Sequence, residues 1–231
     1  MNYLQLAQRC RLECGIAGSG PSAVTSQTGE MERIVTWVAQ AWNDIQVIHK
    51  DWGFMRASAS FTTVDGTATY TLGSGAGTVG VTAATFGMWV PDSARNYVTA
   101  TGQDSEIFMN DIGYESWRDS YQYGALRTSK SRPTDVAISP VKALCLGPVP
   151  LAGYTVTRDY YTAPVALAAD ADTPALPAQH HMIIVYRAMQ MYAAYSNAPE
   201  VLARADKGFT LYMRLLSNDR LPVPTWGGAL A

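Results

Sequence analysis

Residues 178–216 constrain the fold more than any other stretch, because they read as two helices meeting at a tight corner. Pro177 lies just before the first helix and Pro199 falls where the second should start. Proline suits a first helical position, since the N–H it lacks would have no partner there. Asn197 is placed to offer a side-chain oxygen to the unpaired N–H groups at the second start. The first helix is apolar almost all round: Met182, Ile183, Ile184, Val185, Tyr186, Ala188, Met189, Met191, Tyr192 and Tyr195, interrupted only by Arg187 and Gln190. A helix of that kind has protein on several sides. The second is amphipathic, with Val201, Leu202, Ala205, Phe209, Tyr212, Met213 and Leu216 as its stripe. The plain reading of this pair is the core of one domain. The sharper reading is a core that shares part of its surface with another subunit.

Upstream, residues 2–14 carry apolar residues at helical spacing, with Gly15 as the stop, and 15–27 are a loop by composition. Thr28 is placed to cap a long helix whose first turn holds Glu30 and Glu32. Its stripe runs Ile34, Trp37, Val38, Ala41, Trp42, Ile45, Ile48 and Trp52, so the helix is expected over 28–52. The period changes to two at Ala57. ASASFTTV, Asp65-Gly66 and TATYTL predict a β-hairpin, since Asp-Gly readily takes the turn that matches strand twist. Further strands are expected at 79–90, 95–101, 105–109, 134–139, 142–146 and 154–161, with a short helix over 113–123. Helices at both ends and strands between imply α+β: a helical bundle from 1–56 and 163–216 carrying a β-rich insertion, 57–162. Residues 217–231, with two prolines, two glycines and no period, read as an extended C-terminal arm. Those fifteen residues reach about 50 Å if stretched.

Charged residues are 16 % of the 231, against about 25 % in an ordinary soluble domain, and the net charge is −2. A global basic field for nucleic acid is absent. Low charge with many aromatics points to surface that meets protein. Three cysteines, an odd number, argue against a secreted disulfide scaffold. MNYLQLAQRC has no basic start followed by an apolar run, so no secretory leader is expected, and no apolar run approaches the ~20 residues of a membrane span. These features lead us to expect a protein made in a reducing cytoplasm.

Sequence supports no active site, cofactor or metal. Gly75-Ala76-Gly77-Thr78-Val79-Gly80 fits G-x-G-x-x-G literally, but a strand-like run follows where a dinucleotide site needs a helix. Cys10 and Cys14 share a helix face, yet only Cys145 and His49 remain to complete a zinc set. His180 and His181 are adjacent and point apart on a helix. Three histidines and no nucleophile elbow leave acyl transfer without a triad. The acidic pairs Asp104/Glu106 and Asp170/Asp172 read as solvated loop charge, which leaves a carboxylate hydrolase the least supported alternative. Trp89, Tyr97, Trp117 and Tyr121 would be the stacking residues of a carbohydrate- or ligand-binding β-module, the runner-up reading. Arg127, Lys130 and Arg132 form the densest basic cluster, which only the symmetry of a ring would multiply into a phosphate-facing surface.

Three stretches, LAQRCRLECGIAGSGPSAVTSQTGEMERIVTWVAQAWNDIQ, WGFMRASASFTTVDGTATYTL and the run from DYYTAPVALAAD to LYMRLL, resemble the head-to-tail adaptor (connector) proteins of short-tailed and related tailed bacteriophages. The resemblance covers nearly the whole chain, least distinctly over 79–150. It implies a structural virion protein and no enzyme: a homo-oligomeric ring, a dodecamer, at the head–tail junction beneath the portal. Such a ring extends the DNA channel, lets double-stranded DNA pass without sequence preference, and gives the tail or nozzle protein its platform. On this chain the resemblance implies a bundle of 28–52 with 178–216 and an arm of 217–231 that docks on the portal through Leu221, Val223, Trp226 and Leu230. Trp37, Trp42, Tyr186, Met189, Tyr192 and Tyr212 become candidates for the subunit interface. Arg127, Lys130 and Arg132 become candidates for lining the channel.

Overall fold

The computed structural model describes residues 1–222. The described residues combine five α-helices with two β-sheets, a mixed α+β architecture. It divides into two compact units, Met1–Met55 with Pro164–Ala231, and Arg56–Ala163.

In the first unit, helix α1 spans Tyr3–Glu13 and opens on a reciprocal cap: Asn2 Oδ1 accepts from the Gln5 amide at 2.9 Å, and Gln5 Oε1 accepts from the Asn2 amide at 3.0 Å. Helix α2 spans Gly29–Ile48. Thr28 holds the cap position, but its hydroxyl makes no capping bond. The helix also stops a turn short of the expected 52, because His49 turns to extended backbone. Trp52 is nevertheless buried, and its Nε1 donates to the Ile45 carbonyl at 2.9 Å. The returning chain is hooked onto α2 at Val165, whose carbonyl accepts from Trp42 Nε1 at 2.7 Å and whose amide donates to Gln46 Oε1 at 2.9 Å.

Helix α4 spans Met182–Ser196 and packs against α1, α2 and the last helix, α5, Pro199–Arg220. That surround accounts for its apolar circumference. Asn197 ends α4 in the left-handed region, φ 51°, and turns the corner through its backbone; it does not cap α5 with its side chain, as expected from sequence. Pro199 takes the predicted place in the first turn of α5. Residues 217–220, expected in an extended arm, are the last turn of this helix.

In the second unit, strand β9 (Tyr154–Thr162) is central to a five-stranded sheet. It pairs antiparallel with β1 (Arg56–Thr62), β3 (Phe86–Trp89) and β4 (Arg95–Val98), and β4 pairs with β5 (Ile107–Phe108). The other sheet runs β2 (Thr69–Tyr70), β8 (Leu144–Gly147), β7 (Asp135–Ile138) and β6 (Asn110–Asp111), with β6–β7 parallel. The expected hairpin around Asp65-Gly66 is therefore corrected. A turn forms there, with the Thr67 amide on the Val64 carbonyl, but β1 and β2 enter different sheets. The expected strand 79–90 is shorter, 86–89, and 113–123 begins with the short helix α3, Tyr114–Trp117. Phe61, Tyr70, Phe86, Trp89, Leu146 and Val156 fill the core between these strands. Arg158, fully buried, is forked onto Asp111 by two bonds of 2.7 Å.

Candidate assembly surface of the helical unit

Helix α5 carries the least buried apolar surface of the first unit's long helices. Of its 22 residues only Ala205 and Leu216 are buried. Leu202 is 38 % exposed, Leu211 55 % and Leu215 46 %. At 3.6 residues per turn, Leu202 lies about 50° from the Ala205–Leu216 line on one side, and Leu215 and Leu211 about 90° and 130° on the other. Both flanks of α5 thus present leucine beside the contact with α4. Asp206, Lys207, Thr210, Leu211 and Arg214 line a shallow groove. Gly208 permits the close approach to α4: a Cβ there would stand 2.6 Å from the Tyr186 ring.

The six residues proposed from sequence for a subunit interface separate into two groups. Trp42 and Met189 are buried in the unit's own core. Trp37, Tyr186, Tyr192 and Tyr212 remain half-buried. Trp37 packs on Tyr192 and Tyr195, ring centroids 6.1 and 5.6 Å apart, with the Arg33 guanidinium 4.2 Å above the Tyr195 ring. Tyr195 is 58 % exposed. Tyr186 and Tyr212 pair across α4 and α5 at 5.5 Å. Leu211 and Leu215 were hidden in sequence, because they fall outside the α5 stripe; Leu202 belongs to that stripe and is nonetheless exposed. Of the tail residues, Leu221 closes α5, its amide on the Ser217 carbonyl at 3.1 Å, and Val223, Trp226 and Leu230 lie outside the described residues.

Lys130 and Arg132 of the basic cluster have different partners. Lys130 pairs with Asp65 at 2.9 Å. Arg132 donates from Nε to Asn96 Oδ1 at 2.7 Å and to the Asn96 and Ser105 carbonyls, which makes it a brace between loops. The Arg127 side chain is exposed and makes no ion pair among the described residues.

The other candidates resolve into structure. Trp89 and Trp117, proposed for sugar stacking, are buried, with indole N–H groups on the Lys142 and Leu146 carbonyls. Gly75–Gly80 is a turn after β2 in which Gly77 and Gly80 take positive φ. Asp170 accepts from the Val24 amide at 2.6 Å, and Asp172 from the Ala168 and Ala169 amides, which hold its carboxyl below the usual range. Cys10, Cys14 and Cys145 are buried free thiols; a bond to Cys14 and burial push Cys10 well up, away from reactivity. His181 is buried between the Met1 amino group, 2.7 Å from Nδ1, and the Leu176 carbonyl, 3.0 Å from Nε2; burial holds its imidazole below the ordinary value. No cluster of three metal-ligating side chains occurs among the described residues, and none of their helices is long and apolar enough to cross a membrane.

A family model described as SU10 adaptor protein matches residues 1–226. No curated protein matches the chain.

Proposed function

The chain belongs to the SU10 adaptor protein family, structural adaptors of phage virions, and from that premise we propose that it forms a homomeric ring at the head–tail junction. The ring sits beneath the portal, extends the DNA channel and offers the tail or nozzle protein its platform. Its mechanism is binding. The observation that carries this reading is α5: a 22-residue helix held mainly by one neighbour, with exposed leucine on both flanks. A ring interface is heterologous, so each subunit needs two different complementary faces. Leu202 with half-buried Met213 supplies one apolar flank, and Leu211 with Leu215 the other. The aromatic cluster of Trp37, Tyr192 and Tyr195 adds the large, rigid side chains that anchor interfaces.

The segment from Leu221 onward, with Val223, Trp226 and Leu230, docks on the portal. Arg127 is the residue of the basic cluster left to face passing DNA. Native mass measurement of the purified protein, alone and with portal, tests the ring. A closed oligomer in either condition supports it, and a monomer in both removes it. Truncation after Pro222 leaves α5 whole and tests the tail: unchanged portal affinity would take the tail out of the mechanism.

A further inference from the structure

The last turn of α5 is held by contacts that helix stability alone does not call for. Asp219 lies there, where a carboxylate opposes the helix dipole. Its Oδ2 accepts from Gln179 Nε2 at 3.3 Å and from Arg220 Nε at 3.1 Å, and lies 3.0 Å from His180 Nε2. The His180 ring is buried, and its Nδ1 is buried without a hydrogen-bond partner among the described residues. A solvated cap would not require a buried polar ring at that cost. On the same turn, Gly53 comes so near that a Cβ would stand 3.0 Å from the Arg220 carbonyl oxygen. Leu216 is the one fully buried apolar side chain in this half of the helix. Polar contacts and the clearance of one glycine therefore seat the turn.

We propose that the His180–Asp219 contact is a latch that fixes the place and direction in which α5 ends, at Leu221 and Pro222. His180 and Asp219 are positioning residues: they aim the end of the helix. The value of this aim rests on the tail's role given above, but the latch itself can be tested without it. With the latch open, Ser217–Arg220 frays, because the final carbonyls of a helix have no partners within it and helix ends open at little cost.

The test is amide hydrogen exchange over 215–222 in the full chain, comparing wild type with Asp219→Ala, Asp219→Asn and Gly53→Ala. Asp219→Ala removes the acceptor, Asp219→Asn keeps one, and Gly53→Ala lifts the turn with every charge in place. The latch predicts exchange about tenfold faster in Asp219→Ala and Gly53→Ala, near wild type in Asp219→Asn, with α4 core amides unchanged in all three. Wild-type exchange at 215–222 in both Asp219→Ala and Gly53→Ala overturns it. So does equal acceleration in α4, which would mean general loosening. Purified portal then separates the two claims. Faster exchange with weaker portal binding supports both; faster exchange with unchanged binding overturns the aiming role, and the docking tail then stands or falls by the truncation after Pro222.

Discussion

Helices α4 and α5 lie side by side and are built on opposite terms. Helix α4 buries six of its 15 residues and touches three other helices; α5 buries two of its 22 and leans mainly on α4. Both looked apolar enough in sequence to be core. The difference teaches that hydrophobic pattern reports the need for cover but leaves its source open. For α4 the cover is the subunit itself; for α5 the proposal assigns it to a neighbouring subunit.

The largest expected effect is inside α4. Met189→Ala opens a cavity at a fully buried site and should cost about 2–5 kcal/mol by denaturant unfolding. Leu211→Ala on α5 should stay within about 0.5 kcal/mol. Equal costs would erase the contrast. Next comes the seam between the helices. Gly208→Ala gains about 1 kcal/mol of helix propensity but drives a methyl into the Tyr186 ring, so a net loss of about 1–2 kcal/mol is expected. A second change, Tyr186→Leu, should recover part of it in the same measurement; a stabilised single variant would show the seam to be loose.

Leu211→Asp should leave the subunit folded and weaken ring formation about tenfold or more, read by native mass spectrometry across a concentration series. Unaltered assembly would move the interface elsewhere. The smallest effect is pH. Burial depresses the His181 imidazole below its ordinary 6.5, so the unfolded chain takes up the proton first as pH falls. Stability is complete above 6.5 and declines below it, with a slope bounded by about 1.4 kcal/mol per pH unit for one proton. Melting between pH 7.5 and 5, as a conventional range, should show this slope, and His181→Gln should flatten it.

Much of the helical unit was legible because its signals are local: the stripe of α2, the proline at Pro199 and the stop at Gly15 each report on neighbours in sequence. The strands were legible as strands, but not their partners. Alternation around Asp65-Gly66 says that two extended runs flank a turn, and nothing in it reveals that β1 seeks β9 nearly a hundred residues away. The site was least legible. Trp37 and Trp42 share one stripe, and only packing shows that Trp42 is enclosed while Trp37 reaches the Tyr192–Tyr195 cluster. Arg132 read as a surface charge because its acceptors, the Asn96 and Ser105 carbonyls, are distant in sequence. His180 was placed at a helix start, but Asp219, its partner 39 residues on, could come only from the fold.

Hydroxyl-radical footprinting of Leu202, Leu211 and Leu215 in the free subunit and in the assembled head–tail junction tests the central claim most directly. Cover by neighbouring subunits predicts strong labelling of all three in the free protein and marked protection on assembly. Equal labelling in both states would contradict it.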